Sequence, residues 1–242
     1  MSKMNFTEIL AQKALEAGLD LSEKQLEQFN IYYEMLIETN KVMNLTAITE
    51  PEDVAVKHMI DSLLAFDKSF AHKTLADVGT GAGFPGIPLK IYCPSLKITL
   101  IDSLGKRLKF LESIIGKLEL TDIACEHARA EDVGRNKKYR EQFDRVTARA
   151  VARLSVLSEY CLPLVKPGGM FIALKGSKYA EEISEGEAAL KILGGKLISA
   201  EEVKLPGLDD GRAIIRIKKI KSTPLTYPRK AGIPDKAPLG KK

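Results

Sequence analysis

From Thr74 onward the chain alternates short apolar runs with longer amphipathic stretches, and this alternation restricts its fold more than any other feature. Residues 74–78, 97–101, 122–126, 143–148 and 170–174 have the length and apolar content of strands. Residues 87–92, 106–118, 154–165 and 179–193 have helical length and spacing. Strands separated by helices pair in parallel, because each crossover returns the chain to the same end of the sheet and lays a helix on its face. The expected class is therefore α/β, with a mainly parallel, doubly wound sheet. Residues 196–204 and 212–217, joined by a turn rich in Gly, Pro and Asp, read as an antiparallel hairpin added at the sheet's edge.

The first 70 residues carry a different period. Leu10, Ala14 and Ala17, then Leu26, Phe29, Tyr33, Leu36 and Ile37, recur at three and four, the spacing of one helix face. Asp20 and Ser22, followed by Glu23 and Gln25, start the second helix, and Pro51 opens a third over about 52–66. The expected organisation is a helical cap at 1–70, a main domain at 71–221 and a tail at 222–242. With 45% hydrophobic and 29% charged residues, the chain can bury a core, which excludes a disordered chain. No apolar run approaches the ~20 residues of a membrane-spanning helix. The start, Met1 to Phe6, runs into Glu8 and Gln12 without a secretory core, so a cytoplasmic protein is expected. Cys93, Cys125 and Cys161 are widely spaced, which fits neither a disulfide framework nor a zinc site; no metal is expected.

The stretch Asp77-Val78-Gly79-Thr80-Gly81-Ala82-Gly83-Phe84-Pro85-Gly86 follows the first strand and precedes a helix. In that context glycines let backbone approach a nucleotide closely. Asp102 lies nineteen residues beyond Gly83, at the end of the second strand, where a carboxylate accepts hydrogen bonds from a ribose diol. Dinucleotides and S-adenosylmethionine share this arrangement. Asp77 separates them: a carboxylate beside the loop repels a pyrophosphate but favours the ammonium and sulfonium of S-adenosylmethionine. No Walker-type lysine follows the glycines. Ala130-Glu131-Asp132, after the third strand, is positioned either to read an adenine edge or simply to cap the next helix.

The net charge of +5 is unevenly placed. Residues 212–242 hold ten Lys/Arg and one acid, Asp235, so this segment carries +9 and the rest of the chain −4. Such a segment reads either as the contact surface for a polyanionic partner or as a solvated, partly frayed tail. A second basic cluster lies at 129–153, with Arg145, Arg149 and Arg153 spaced at four. Arg145, Arg153, Lys218, Lys219, Lys221, Arg229 and Lys230 are the candidate contacts to the phosphates of such a partner. With no Trp, seven Tyr and eight Phe, the chain lacks a stacking platform for a single-stranded nucleic acid.

Several stretches in order along the chain carry a more specific resemblance. They are Asn44-Leu45-Thr46, the His58-Met59-Ile60-Asp61-Ser62 segment, the loop from Asp77 to Pro88, Lys106-Arg107, Ala148-Arg149-Ala150, and Tyr227-Pro228-Arg229-Lys230-Ala231-Gly232-Ile233-Pro234. In these the sequence resembles the bacterial 16S rRNA guanine-N7 methyltransferases, also called glucose-inhibited division protein B. The resemblance implies a Rossmann-like class I S-adenosylmethionine-dependent fold and methyl transfer to guanine N7 of 16S rRNA, naked or within the small subunit. It implies cofactor contacts at Gly79, Phe84, Asp102, Ala130, Glu131 and Arg149, and no metal. Arg149 is the candidate catalytic residue, orienting the guanine or holding the methionine carboxylate. His58, Asp61 and Asn44 either shape the base pocket or tie the helical cap to the core. No symmetric interface pattern is visible, so a monomer is the expectation. The rival readings are a small-molecule methyltransferase, which leaves the basic segment unexplained, and a non-catalytic RNA-binding module.

Overall fold

The computed structural model describes residues 4–240; Met1 to Lys3, and Lys241 and Lys242 of the basic segment, lie outside the described residues. Helix α1 (Phe6–Glu16) starts at an Asn5–Glu8 capping box and α2 (Glu23–Met43) at a Ser22–Gln25 box, each satisfying otherwise orphaned amides reciprocally. Asn44 closes α2 in the left-handed conformation. The third helical segment comprises α3 (Pro51–Val54), a π-helical turn (Ala55–Ile60) and α4 (Asp61–Leu63). It ends three residues before the expected limit, and its π turn has no forerunner in the spacing.

The remaining elements are β1 (Thr74–Val78), α5 (Gly86–Tyr92), β2 (Lys97–Asp102), α6 (Gly105–Lys117), β3 (Ile123–His127) and α7 (Ala130–Arg135). They continue with β4 (Phe143–Arg149), α8 (Leu154–Cys161), β5 (Val165–Gly176), α9 (Tyr179–Leu193), β6 (Gly195–Val203), β7 (Arg212–Lys219) and α10 (Ile233–Lys236). The seven strands form one sheet in the order β3-β2-β1-β4-β5-β7-β6. Strands β1 to β5 pair in parallel, and β7 runs antiparallel between β5 and β6. The chain winds outward in opposite directions from β1 and β4, so a crevice opens at the carboxyl ends of these two strands.

Helix α8 ends at Cys161 rather than near 165, because Pro163 has no amide with which to continue the hydrogen-bond ladder to Glu159. Strand β5 correspondingly begins at Val165 and runs through Pro167-Gly168-Gly169, which sequence alone reads as a turn. A register shift opposite Phe143 and Arg145 accommodates the extra residues.

Two apolar cores flank the sheet. One joins Leu10, Phe29, Tyr32 and Leu36 of the N-terminal helices to Ile87 of α5, Leu111 of α6 and the sheet face. The other packs Leu157, Leu190 and Leu193 of α8 and α9 against Val146, Phe171 and Ile215. Each large side chain buried in this way contributes ~1.5–3 kcal/mol. On α2 the inward tyrosine is Tyr32, whereas Tyr33 is half-buried and stacks on Phe6 with centroids 4.0 Å apart.

Candidate active site

The glycine turn is held by its own amides. Gly79 and Thr80 both donate to the Ile101 carbonyl, at 2.9 and 3.1 Å. Gly83 and Phe84 donate to the Thr80 carbonyl, and Gly81 donates to Asp102 Oδ2 at 2.9 Å. Tyr32 clamps the loop from the helical cap, its hydroxyl donating to the Ala82 carbonyl at 2.6 Å. Gly83 has φ +106°, and a Cβ there would lie 2.8 Å from the Tyr32 hydroxyl, so glycine is required both by backbone and by space. These five amides have protein acceptors and are not offered to a pyrophosphate.

Asp77 works differently from the sequence-based expectation. It is fully buried beneath the loop, where Oδ2 accepts from the Thr80 hydroxyl (2.7 Å) and the Gly86 amide (3.0 Å). Oδ1 accepts from the Thr147 hydroxyl at 3.2 Å. Burial pushes its carboxyl up to about 6 against the pull of these three donors. Asp77 therefore braces the loop and does not face a ligand. The committed loop amides, rather than a carboxylate at the surface, are what disfavour a pyrophosphate here.

A cavity of about 630 Å³ opens where β1, β2 and β4 end. Gly79, Asp102, Ala130, Glu131 and Arg149 all line it, so five of the six expected cofactor residues converge. Asp102 is nearly buried, with Oδ1 accepting from the Leu104 amide at 2.9 Å. Glu131 accepts from the Gly232 amide at 3.0 Å, which ties α7 to the C-terminal segment. Phe84 is absent from this wall. It is buried below, with the His58 ring stacked on it at 4.5 Å, Tyr32 at 5.3 Å and the Arg149 guanidinium 4.9 Å over its face. The wall also takes Val151, Tyr160, Gly232 and Asp235. Nothing in the local spacing marks Val151, Tyr160 or Asp235; Gly232 lies within the tail stretch that carries the resemblance.

Arg149 joins this cavity to a second one of about 460 Å³, and the segment Arg149–Ala152 lines both. Its Nη1 donates to the Lys57 carbonyl (3.0 Å) and Asp61 Oδ2 (2.9 Å), and its Nη2 donates to His58 Nδ1 (3.2 Å). His58 Nδ1 stands 3.2 Å from both Arg149 Nη2 and the Lys57 carbonyl, and Nε2 pairs with Thr46 Oγ1 at 2.8 Å. Burial and then the Arg149 charge push His58 down to about 3, so it is neutral at physiological pH. Asn40 completes the chain by exchanging two 2.9 Å hydrogen bonds with the Thr46 backbone. The structure thus brings His58 and Asp61 together at Arg149, with Thr46 behind them; Asn44 acts by closing α2.

The sequence model of the family described as rRNA small subunit methyltransferase G (GidB) matches residues 25–209. The chain belongs to this family. It is 58% identical over 226 residues to the ribosomal RNA small subunit methyltransferase G of Lactobacillus acidophilus, covering 92% of this chain and 94% of the relative. To that of Exiguobacterium sibiricum it is 52% identical over 243 residues, covering 99% and 100%. Among solved structures it is similar to M. jannaschii TYW2 in complex with AdoMet, with TM-score 0.54 and 19% identity over 66% of this chain and 75% of that one. It is also similar to a mutant of the 16S rRNA (adenine(1408)-N(1))-methyltransferase from Catenulisporales acidiphilia with cosubstrate SAM, with TM-score 0.50 and 17% identity over 67% and 91%. These two likenesses show the class I methyltransferase fold.

In this member of the GidB family the basic residues divide into two groups. Lys219 is fully buried: Nζ donates to the Leu162 carbonyl and Thr223 Oγ1 and lies 3.1 Å from Glu141 Oε1. It cannot reach a phosphate, which corrects the expectation from sequence. Arg229 is spent on Glu159, itself fully buried, through Nε at 2.9 Å and Nη2 at 2.7 Å. Arg135 and Arg140 clamp the tail by donating to the Pro228, Tyr227 and Thr223 carbonyls. Arg145 is half-buried against Ser69, its Nη2 donating to the hydroxyl at 2.8 Å. Lys221, Lys230 and Arg153 are exposed, with Arg153 facing Glu185 at 3.3 Å, and Lys218 is half-exposed. No described helix is long and apolar enough to cross a membrane. Among the described residues no group of His, Cys, Asp and Glu is arranged to hold a metal ion.

Proposed function

We infer that this chain transfers the methyl group of S-adenosylmethionine to N7 of a guanine in 16S ribosomal RNA. The observation that carries the reading is the pair of cavities meeting at Arg149 at the carboxyl ends of β1 and β4, in a chain related along nearly its whole length to ribosomal RNA small subunit methyltransferases G. The first cavity suits S-adenosylmethionine chemically. It offers the carboxylates of Asp102 and Glu131 to hydroxyl and amine donors, apolar walls at Val78, Ile101 and Ala130 to the purine, and a glycine at 79 under the bend.

When bound, S-adenosylmethionine supplies a sulfonium methyl: the N7 lone pair bonds to carbon, the C–S pair returns to sulfur, and the purine takes the positive charge with no proton to remove. No general base is therefore required of the protein, and its work is positioning and exclusion of water. In this reading Asp102 accepts from the ribose diol, Ala130 and Glu131 meet the adenine edge, and Gly79 admits the methionine end. Arg149 has two N–H groups beyond the three that anchor it, available to the methionine carboxylate or to the guanine. Phe84 serves both through Arg149, whose cation it supports. The cap (1–70), the methyltransferase domain (71–221) and the tail (222–242) act as one unit. The cap walls the second cavity through Ile48, Lys57, His58 and Asp61, and the tail walls the first through Gly232 and Asp235. Exposed Lys221, Lys230 and Arg153 meet RNA phosphates, and the chain works as a cytoplasmic monomer on rRNA, naked or in the small subunit.

The deciding experiment follows labelled methyl transfer from S-adenosylmethionine to unmodified 16S rRNA and to small-subunit particles, then maps 7-methylguanosine by borohydride–aniline cleavage. One specific cut is expected. Labelling without a cut removes N7 from the reading, and an absence of RNA labelling removes RNA as the substrate.

A further inference from the structure

Two residues lining the second cavity carry polar atoms that no hydrogen bond from the described residues satisfies. Asp61 is held rigidly at its wall, because Oδ2 is fixed by Arg149 Nη1 at 2.9 Å. No hydrogen bond from the described residues reaches Oδ1; Arg212 Nε stands off at 3.9 Å. That Nε is itself buried with no hydrogen-bond partner, while Arg212 Nη2 is anchored on Asp210 at 2.9 Å. A buried donor left unmade is costly and calls for an explanation. Here a carboxylate and a guanidinium, each with hydrogen-bonding capacity unmet by the described residues, line one cavity, which shares Arg149–Ala152 with the proposed cofactor site.

We propose that this cavity receives the flipped target base and that Asp61 and Arg212 select guanine by its Watson–Crick edge, Asp61 Oδ1 accepting from N1–H and the Arg212 guanidinium donating to O6. This rests on the function proposed above. The match is one of polarity. Guanine presents a donor at N1 beside an acceptor at O6. Adenine presents an acceptor at N1 beside an amino donor, so every contact in the pair is inverted: a lone pair meets a carboxylate, and an amine meets a guanidinium. Only purines possess N7, so guanine against adenine is the discrimination this reaction needs. Reading the Watson–Crick edge of an extruded base leaves its N7 side open toward the neighbouring site. Inverted hydrogen-bond partners act against the wrong base as strongly as matched ones act for the right one.

Site-specific analogues separate this role from others. Small-subunit particles are assembled on ligated 16S rRNA carrying guanine, inosine or 2-aminopurine at the methylated position. All three keep N7. Inosine keeps N1–H and O6; 2-aminopurine has neither and presents an N1 acceptor. Wild-type enzyme is expected to methylate inosine within about tenfold of guanine and 2-aminopurine more than about 100-fold more slowly. In Asp61→Asn the oxygen must stay on Arg149, so the amide nitrogen faces the cavity as a donor. That variant is expected to lose at least about 100-fold on guanine and to prefer 2-aminopurine, with S-adenosylmethionine affinity by calorimetry kept within a few fold. Equal wild-type rates on guanine and 2-aminopurine overturn the proposal, as does an Asp61→Asn loss shared by all three bases or matched by lost cofactor affinity. If wild-type enzyme makes no 7-methylguanosine on the unsubstituted particle, the underlying function falls as well, a result distinct from indifference between bases.

Discussion

Arg149 and Asp61, 88 residues apart in the chain, form a 2.9 Å ion pair that fastens the end of β4 to the helical cap. Both side chains are largely withdrawn from water, with 14% and 10% exposed. The same guanidinium reaches Lys57 and His58 and rests on Phe84, so the second cavity, the cap and the glycine loop share one rigid joint. A surface ion pair would contribute little; this one fixes the relative positions of two cavities, which is what an in-line transfer requires.

The joint depends on the fork of the guanidinium and not on charge alone. Lysine in its place offers a single point charge and cannot serve a carbonyl, a carboxylate and an imidazole with fixed directions. Arg149→Lys is expected to lower kcat/KM for methyl transfer at least about 100-fold, since charge-assisted hydrogen bonds contribute ~1.5–3 kcal/mol each. Circular dichroism is expected to show an unchanged fold. Arg149→Ala is expected to abolish transfer, and retention of full activity in either variant removes Arg149 from the machinery.

What sequence reading can and cannot see follows from the range of each interaction. The loop from Asp77 to Gly86 and its partner Asp102 are legible, because strand, turn and helix place them by local spacing. Parallel pairing is implied by alternation, while the order of the strands appears only in the structure. Periodicity picks Tyr33 over Tyr32, since adjacent aromatics differ by only 100° around a helix and Tyr32 is chosen by the loop it clamps. The π turn at Ala55–Ile60 adds one residue to a hydrogen-bond ladder without changing composition. Lys219 and Arg229 look like solvated cations in a basic run, yet each is bound to an acid about 70 or more residues away, Glu141 and Glu159. No local pattern reports such pairs. The same limit applies to Asp61 and Arg212, which meet only through the fold.

Asp77 gives a pH signature with a definite sign. Its carboxyl is raised to about 6, chiefly by burial, from an ordinary value near 4. A raised group contributes stability that is present below its unfolded pKa and lost as pH rises through the folded value. Ionised Asp77 therefore costs the native state on the order of 2–3 kcal/mol above pH 6. Asp77→Asn removes that titration while its oxygen still accepts from Thr80 and Gly86, and its amide donates to Thr147. Urea denaturation at pH 4 and pH 7 is expected to show the variant gaining on wild type as pH rises. A constant difference across that window contradicts the assignment.

The C-terminal segment is a structural strap. Glu159 is fully buried, and Arg229 neutralises it through its backbone amide and its side chain. Arg229→Met leaves a buried carboxylate without its cation and is expected to cost about 3–5 kcal/mol in chemical denaturation. Adding Glu159→Leu is expected to recover most of that loss, because an apolar pair fills the space without a stranded charge. Cofactor affinity is expected to fall in the single variant, since Gly232 and Asp235 of the strap wall the first cavity. A variant of unchanged stability shows that the pair carries no load.

Burial also sorts the basic residues into those that can meet RNA and those that cannot, and salt separates them. Each exposed cation that neutralises a phosphate releases a counterion, so binding weakens as log of salt with a slope set by the number of contacts. Lys221→Gln and Lys230→Gln are expected to reduce the slope for RNA binding by about one each while leaving the melting temperature unchanged. Lys219→Met is expected to behave in the opposite way. Burial lowers the amine of Lys219 to about 8, and its charge is committed to Glu141 within the core. Its loss should lower the melting temperature and leave the salt slope where it was. If Lys219→Met shifted the slope as much as Lys230→Gln, the division between buried and RNA-facing cations would be wrong.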